Sequence, residues 1–288
     1  MVSIPVNRHT TKNLIEEKGE TKSKPRPYLG MSSTNAACAR SLWYGFHWVS
    51  SKIIPARIIR IFERGDWEEQ RIIRDLKSIG VECFRRDSDG NKIEIFGLPE
   101  EEQEEIIGFA GHCKGHNDGR GLNIPEAPKT EHLLEFKSAN DKNFKKFVKL
   151  GVEKAHPVYY GQVQRYMKGF GLTRTLFVVT NKNDEERYYE RIKYDKEFAS
   201  ELERREQHII LSPVPLEKLS QDPTWFECKF CNNIGPCHYG ESPNLNCRTC
   251  DHSDLIDGGK WVCSIDESEI SIAKQRVGCD LHRIGWGL

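Results

Sequence analysis

The run His132-Leu-Leu-Glu-Phe-Lys-Ser sets two charged residues, Glu135 and Lys137, inside a stretch apolar enough to be a buried strand. A strand alternates its faces, so Glu135 and Lys137 project from the same side. Two ionised groups on one face of a buried strand are costly unless they pair or bind a metal. A chain with this run has to build a polar site onto a sheet. Asp118, in Gly-His-Asn-Asp-Gly, is set beside that face by a turn or strand end. Two carboxylates and an ammonium can hold Mg²⁺ and a water next to a phosphate.

At 288 residues the chain is long enough for one core with an appendage. It is 30% charged and 37% hydrophobic, the balance of a soluble globular protein. Its 43 basic and 43 acidic residues give a formal net charge of +0. Bulk charge therefore does not advertise a nucleic-acid partner, and any basic surface has to be local. No run approaches the roughly 18 apolar residues that span a bilayer. Met1-Val-Ser-Ile-Pro-Val-Asn-Arg has no signal-peptide core. The expectation is a cytoplasmic protein with no membrane partner.

Residues 1–28 are polar and rich in Lys and Pro, and are expected to form a flexible tail. Ser32, Ser33, Thr34 and Asn35 are N-cap candidates for a short helix carrying Cys38 and Arg40. Helical spacing runs from Ala56 to Ile79 and stops at Gly80. A hairpin is expected over 81–96 with Asp89-Gly90 as its turn, followed by a strand over 106–111 that leads to Asp118. Two helices, from Lys142 and from Pro157, come after the Glu135 strand. Strands from Thr175 and Arg187 and a helix over 196–211 complete the pattern. The predicted fold class is α/β (α+β), a mixed central sheet flanked by helices.

Either Glu68 or Glu69, on the first long helix, is placed to face a cleft, although most helix glutamates are solvated. Gln162 and Tyr166 lie four apart and share a helix face. Lys142, Lys145, Lys146 and Lys149 also share one face, as a phosphate-contacting stripe or a solvated surface. Arg57, Arg60 and Arg64 form a second basic stripe. Trp43, Tyr44 and Trp48 are either base-stacking platforms or core. His112 is read as structural, and His116 as structural or near the site.

In order, Cys38-Ala-Arg40, Gly65-x-x-x-Glu69, Gly-His-Asn-Asp118-Gly, Glu135-Phe136-Lys137 and Gln162-x-x-x-Tyr166 resemble the PD-(D/E)XK nuclease superfamily, in its RecB-like and phage-exonuclease branch. The match spans roughly residues 30–240 and departs from the pattern in having no proline before Asp118. The resemblance implies a restriction-endonuclease-like fold and a Mg²⁺- or Mn²⁺-dependent DNA exonuclease acting on DNA ends, 5′ to 3′, in phage or bacterial recombination, repair or replication. It implies Asp118, Glu135, the Phe136 carbonyl and Glu69 as metal ligands. Lys137 would orient and help deprotonate water. Gln162 would position Lys137 or the phosphate, and Tyr166 would support the helix or contact DNA. A lysine close to a metal ion is expected to have a lowered proton affinity. A recombinase or single-strand annealing protein stands as a candidate partner. The alternatives are an endonuclease of the same fold and a non-catalytic, metal-stabilised DNA-binding module.

Seven of the ten cysteines lie after residue 227, and in a reducing compartment such grouping reads as metal ligation. Cys228-x2-Cys231-x5-Cys237 supplies three ligands. The resemblance to AddB-type and CRISPR-adaptation nucleases implies Cys38 as the fourth, around a 4Fe-4S cluster that closes the domain over 29–240. Four thiolates also suit Zn²⁺. Over 241–288, Cys247-x2-Cys250, Cys263 and Cys279-x2-His282 flank an Asp257-Gly258-Gly259 turn. This reads as a zinc-ribbon-like module with five candidate ligands for four places. Cys247, Cys250, Cys263 and Cys279 are preferred, with His282 as the main competitor. So short a segment is too small for a conventional core, and a structural metal would explain its order. Cys83 and Cys113 have no partner spacing and read as buried thiols.

Overall fold

Alternation along the Glu135 strand decides the layering of the molecule. The computed structural model describes residues 10–99 and 101–285. Helices α1 (Thr11–Gly19), α2 (Ala39–Phe46) and α3 (Ala56–Ser78) come first. Six strands follow: β1 (Glu82–Arg86), β2 (Lys92–Glu94), β3 (Glu105–Gly108), β4 (Cys113–His116), β5 (Arg120–Leu122) and β6 (His132–Ala139). Next are α4 (Asp141–Ala155), α5 (Pro157–Phe170), β7 (Arg174–Asn181), β8 (Arg187–Lys193) and α6 (Lys196–Leu211). The last part holds short helices α7 (Phe226–Lys229) and α8 (Ile234–His238), the hairpin β9 (Ser253–Ile256) and β10 (Lys260–Cys263), and α9 (Ile272–Val277).

The central sheet has the order β8-β7-β6-β5-β1-β2. Its β6–β7 pair is parallel, with Glu135 opposite Phe177 and Lys137 opposite Val179. A parallel pair needs a long crossover, and α4 and α5 supply it. Leu134 and Phe136 of β6 and Leu176 and Val178 of β7 pack with Ile72, Ile73 and Leu76 of α3. Leu133, Phe177 and Val179 point the other way, onto Phe144 and Phe147 of α4 and Val163 and Met167 of α5. Glu135 and Lys137 alternate with Phe136, so they share the α4–α5 face. A slip of one residue would drive both charges into the apolar cluster under α3, and this pins the register.

The mixed sheet flanked by helices agrees with the predicted class. Three local expectations change. Helix α1 forms within the segment expected to be a flexible tail; residues 1–9 lie outside the described residues. Its Gly19 abuts Ala56 of α3, so the helix is held by packing. The cap of α2 is Cys38, whose Sγ accepts from the Ser41 N–H at 3.4 Å, and none of Ser32 to Asn35 takes that role. The strand expected over 106–111 stops at Gly108; Phe109–Gly111 is a 3-10 turn, and Asp118 follows β4. Trp43, Tyr44 and Trp48 are core residues. No described helix is long and apolar enough to cross a membrane.

The β9–β10 hairpin docks on the segment that leads into β4. Gly259 N–H donates to Ala110 O at 2.8 Å, and His112 Nε2 lies 2.8 Å from Ile256 O. Arg248 is buried among Trp48, Phe46 and Trp261 and donates to Phe46 O, Pro27 O and Gln275 Oε1. The C-terminal segment thus rests on the same core that carries Asp118.

Candidate functional site

Three elements converge on Glu135. Its side chain has no exposure, and its Oε1 accepts from Gln162 Nε2 of α5 at 2.7 Å and from Lys137 Nζ. Its Oε2 is buried and has no hydrogen-bond partner among the described residues. Asp118, on the bend after β4, accepts the Phe136 N–H at 2.8 Å through Oδ2, which clamps it against the backbone of β6. Glu69 reaches the same point from α3.

The charges register how tightly these groups are packed. Burial, then Asp118 and Glu135, push the Glu69 carboxyl up to about 9. Burial and the Asp118 charge, opposed by Lys137, push Glu135 up to about 8. Burial raises Asp118 too, against Lys137 and the Phe136 N–H. For Lys137, burial acts to lower proton affinity, but Glu135 and Asp118 overcome it and raise it. The lowered affinity expected for a metal-adjacent lysine is therefore not a property of the protein groups themselves. Three carboxylates share one ammonium, so the site is short of positive charge.

The structure separates Glu68 from Glu69. Glu68 is buried, accepting from Thr180 Oγ1 at 2.7 Å and pairing with Arg187 at 3.1 Å and Arg71 at 3.0 Å. It ties α3 to β7 and β8. Glu69, with Asp66 and Asp118, lines a cleft of about 650 Å³. Tyr166 is buried beneath the site, with its ring where a Cβ on Gly115 of β4 would stand. That position supports β4 and keeps the side chain off the surface. His116 lines the cleft rim and sits 3.3 Å from Glu105. His112 is the buried structural residue that docks the hairpin.

The lysines of α4 are not among the residues that line the cavity next to Lys137. Lys142, Lys145, Lys146 and Lys149 are exposed, and Lys145 pairs with Asp141 at 2.8 Å. The cavity next to Lys137 is lined instead by Arg57, Arg60 and Arg64 of α3 and by Lys182. Sequence reasoning missed Lys182 and the acidic run Glu101-Glu102-Gln103-Glu104-Glu105 at the cleft rim. The run is visible as a charge block, whereas Lys182 has no local signal.

Cys38, Cys228, Cys231 and Cys237 line one cavity of about 260 Å³. Burial raises Cys228, and Cys38 and Cys231 add to it. Backbone N–H groups point at two of the sulfurs, Ser41 N to Cys38 and Asn233 N to Cys231, both at 3.4 Å. Cys247 is raised by burial and then by Cys279, Cys250 and Cys263. His282 Nε2 lies 3.0 Å from Thr249 Oγ1. Among the described residues, no three His, Cys, Asp or Glu side chains already stand in metal-holding geometry. The thiols and the carboxylates are gathered but not closed onto common points. Cys83 and Cys113 are buried.

No family model matches the chain, and no curated protein matches it. Among solved structures, an alkaline exonuclease from Laribacter hongkongensis superposes with a TM-score of 0.41 and 15% identity, over 64% of this chain and 87% of that one. The same enzyme in complex with dAMP gives 0.42 and 18%, over 64% and 86%. These are partial superpositions, and the functional reading stands on the site's own geometry.

Proposed function

We propose that this protein is a divalent-metal-dependent DNA nuclease of the PD-(D/E)XK type that works on DNA ends. The observation that carries the reading is the meeting of Glu69, from α3, with Asp118, Glu135 and Lys137 around β6. The site suits a hard cation: three crowded carboxylates, two of them pushed well above the usual carboxylate range, and one buried oxygen with no partner. Asp118, Glu135, Glu69 and the Phe136 carbonyl would hold it. A bound Mg²⁺ or Mn²⁺ supplies an acidified water and neutralises phosphate oxygens. Lys137, kept protonated by its carboxylate neighbours, orients the scissile phosphate and stabilises charge that develops on it. Gln162 fixes the Glu135 rotamer, and Tyr166 holds β4 and hence Asp118. The lysines on the open face of α4 extend the phosphate-contacting surface. The 5′ to 3′ direction and the link to recombination rest on family resemblance alone.

The test is Lys137→Ala. Loss of Mg²⁺-dependent degradation of a linear duplex, with folding and DNA binding largely intact, is the expected outcome. Full activity in that variant refutes the assignment. Degradation of a covalently closed circle would point to an endonuclease instead.

The cysteines support a second part of the reading. Cys38, Cys228, Cys231 and Cys237 are assigned as one Cys₄ set that joins the start of α2 to the C-terminal third of the chain. The N–H groups aimed at sulfur are the kind of contact that tunes thiolate ligands. Resemblance favours a 4Fe-4S cluster, with Zn²⁺ as the alternative. Cys247, Cys250, Cys263 and Cys279 are assigned to Zn²⁺, with His282 left on Thr249. In both sets, side chains already gathered would close by rotation. Broad visible absorption of anaerobically purified protein, lost in Cys231→Ser, supports the cluster. A colourless protein with only zinc in metal analysis overturns it.

A further inference from the structure

The nuclease set straddles two cavities of opposite charge. The cleft that holds Glu69 and Asp118 is acidic beyond those two residues: even with Glu102 on Arg85, Glu104 on Arg120 and Glu105 on Lys114, Asp66 and Glu101 have no basic side chain at ion-pair distance among the described residues, whether or not a cation sits on Glu69 and Asp118. Lys137 lines the second cavity, of about 560 Å³. That cavity has no Asp or Glu in its lining, and Arg57, Arg60, Arg64 and Lys182 join Lys137 there.

Two of these cations are held only weakly by their partners. Arg60 pairs with Glu16 at 2.6 Å and Arg64 with Glu185 at 3.4 Å, both at exposed positions. Such pairs are worth about 0–1 kcal/mol, so an incoming anion can compete for the guanidinium groups. Arg57 and Lys182 have no acidic partner among the described residues. Lys182 is held below the ordinary lysine value by burial and then by Arg64, so it sits next to like charge with nothing to offset it. The far wall is polar and aromatic. Asn140, Asn143 and Ser138 line it, and the His156 ring stacks on Tyr159 at 3.5 Å between centroids. His156 Nδ1 is buried with no partner beyond its own backbone. Unoffset cations together with neutral donors form a site for a polyanion rather than for a metal or an apolar ligand.

We propose that this cavity binds the nucleic-acid phosphates on one side of the scissile bond, and that the acidic cleft on the other side admits no continuing backbone. The site then takes a strand whose end lies at Glu69 and Asp118, and whose body runs out along the first half of α3. This rests on the nuclease reading for the place of the scissile bond, but not for the binding itself.

The test uses the full chain in a chelator, so that binding is read without cleavage. A fluorescein-labelled linear single strand is titrated by anisotropy over a range of salt. Removing two phosphate contacts in Arg57→Ala/Lys182→Ala makes the log–log salt slope shallower by about 1.4, at about 0.7 per contact on single strands. Lys260→Ala/Lys274→Ala, which removes equal charge from the C-terminal segment, leaves the slope as in the parent. Arg57→Gln, at an exposed position, gives about half the change if the double variant melts early. An unlabelled circular strand competes less well than the linear strand of the same sequence. A slope unmoved by the Arg57 and Lys182 changes overturns the cavity, and equal competition by the circle overturns the one-sided footprint. A protein that binds through this cavity but never cleaves when Mg²⁺ is added refutes the nuclease reading and leaves the cavity standing.

Discussion

Replacing Glu69 by Gln removes one of three carboxylates from a site that holds a single ammonium, and stability should respond before activity is measured at all. Burial and the Asp118 and Glu135 charges hold the Glu69 carboxyl at about 9 in the folded chain, against an ordinary value of 4.5. A carboxyl raised on folding contributes stability that is complete below its unfolded value and is lost as pH rises through its folded value. The cation-free protein should therefore weaken between about pH 4.5 and 9. At pH 7.5, about 3 pH units above the ordinary value, keeping the folded carboxyl protonated costs about 4 kcal/mol, at about 1.36 kcal/mol per pH unit. Glu69 shares this repulsion with Asp118 and Glu135, so about 2 kcal/mol is the working figure. For a chain of this size that is on the order of 5 °C in melting temperature. In EDTA, Glu69→Gln should melt higher than the parent at pH 7.5 and show a flatter pH dependence from 6 to 9. A residual slope from Glu135, at about 8, should remain. With Mg²⁺ or Mn²⁺ added the order should reverse, since the parent has the extra carboxylate to bind the ion. A Glu69→Gln variant that melts lower than the parent in EDTA, or keeps the full slope, refutes the crowding argument.

Two further outcomes follow from the packing. Arg165 and Glu206 are 2% and 0% exposed and form a two-pronged pair at 2.9 and 2.8 Å, with Thr34 Oγ1 also donating to Glu206 at 2.8 Å. Glu206→Ala leaves the buried guanidinium with only Glu203, at 3.8 Å, and should cost about 3–5 kcal/mol in urea unfolding, while replacing both partners by apolar residues should cost less. Gly111 has φ +80, and a Cβ there would stand 2.5 Å from Gly259 N. Gly111→Ala should loosen the β9–β10 hairpin, seen as faster proteolysis within residues 241–285 before the rest of the chain is cut.

What could be read early was whatever depends on neighbours along the chain. Helix α6 and the hairpin turns at Asp89-Gly90 and Asp257-Gly258 follow from local periodicity and turn chemistry, and they appear where expected. Helix α1 did not follow, because Thr11–Gly19 buries no side chain and is held by close approach to α3. The Glu68–Glu69 ambiguity could not be settled locally. Adjacent helix residues differ by about 100° in direction, and only the position of β7 and β8 decides which one is taken up by Thr180 and Arg187. The basic surface gained a member for the same reason, since Lys182 joins Arg57, Arg60 and Arg64 only in the folded chain. The α4 lysines share a face, but packing of Phe144 and Phe147 turns that face to solvent.

The sequence alone determined that a polar site had to sit on β6, because two charges at alternate positions of an apolar strand have few places to go. It also set the donors Asp118, Glu135 and Lys137 and the grouping of the cysteines by spacing. Tertiary structure decided which acid joins them, that Lys137 is held protonated by its neighbours, and that its far side opens onto cations from α3. These outcomes depend on distances between segments tens of residues apart. Electrostatic energy follows those distances and the local burial, and neither is written in the order of residues along the chain.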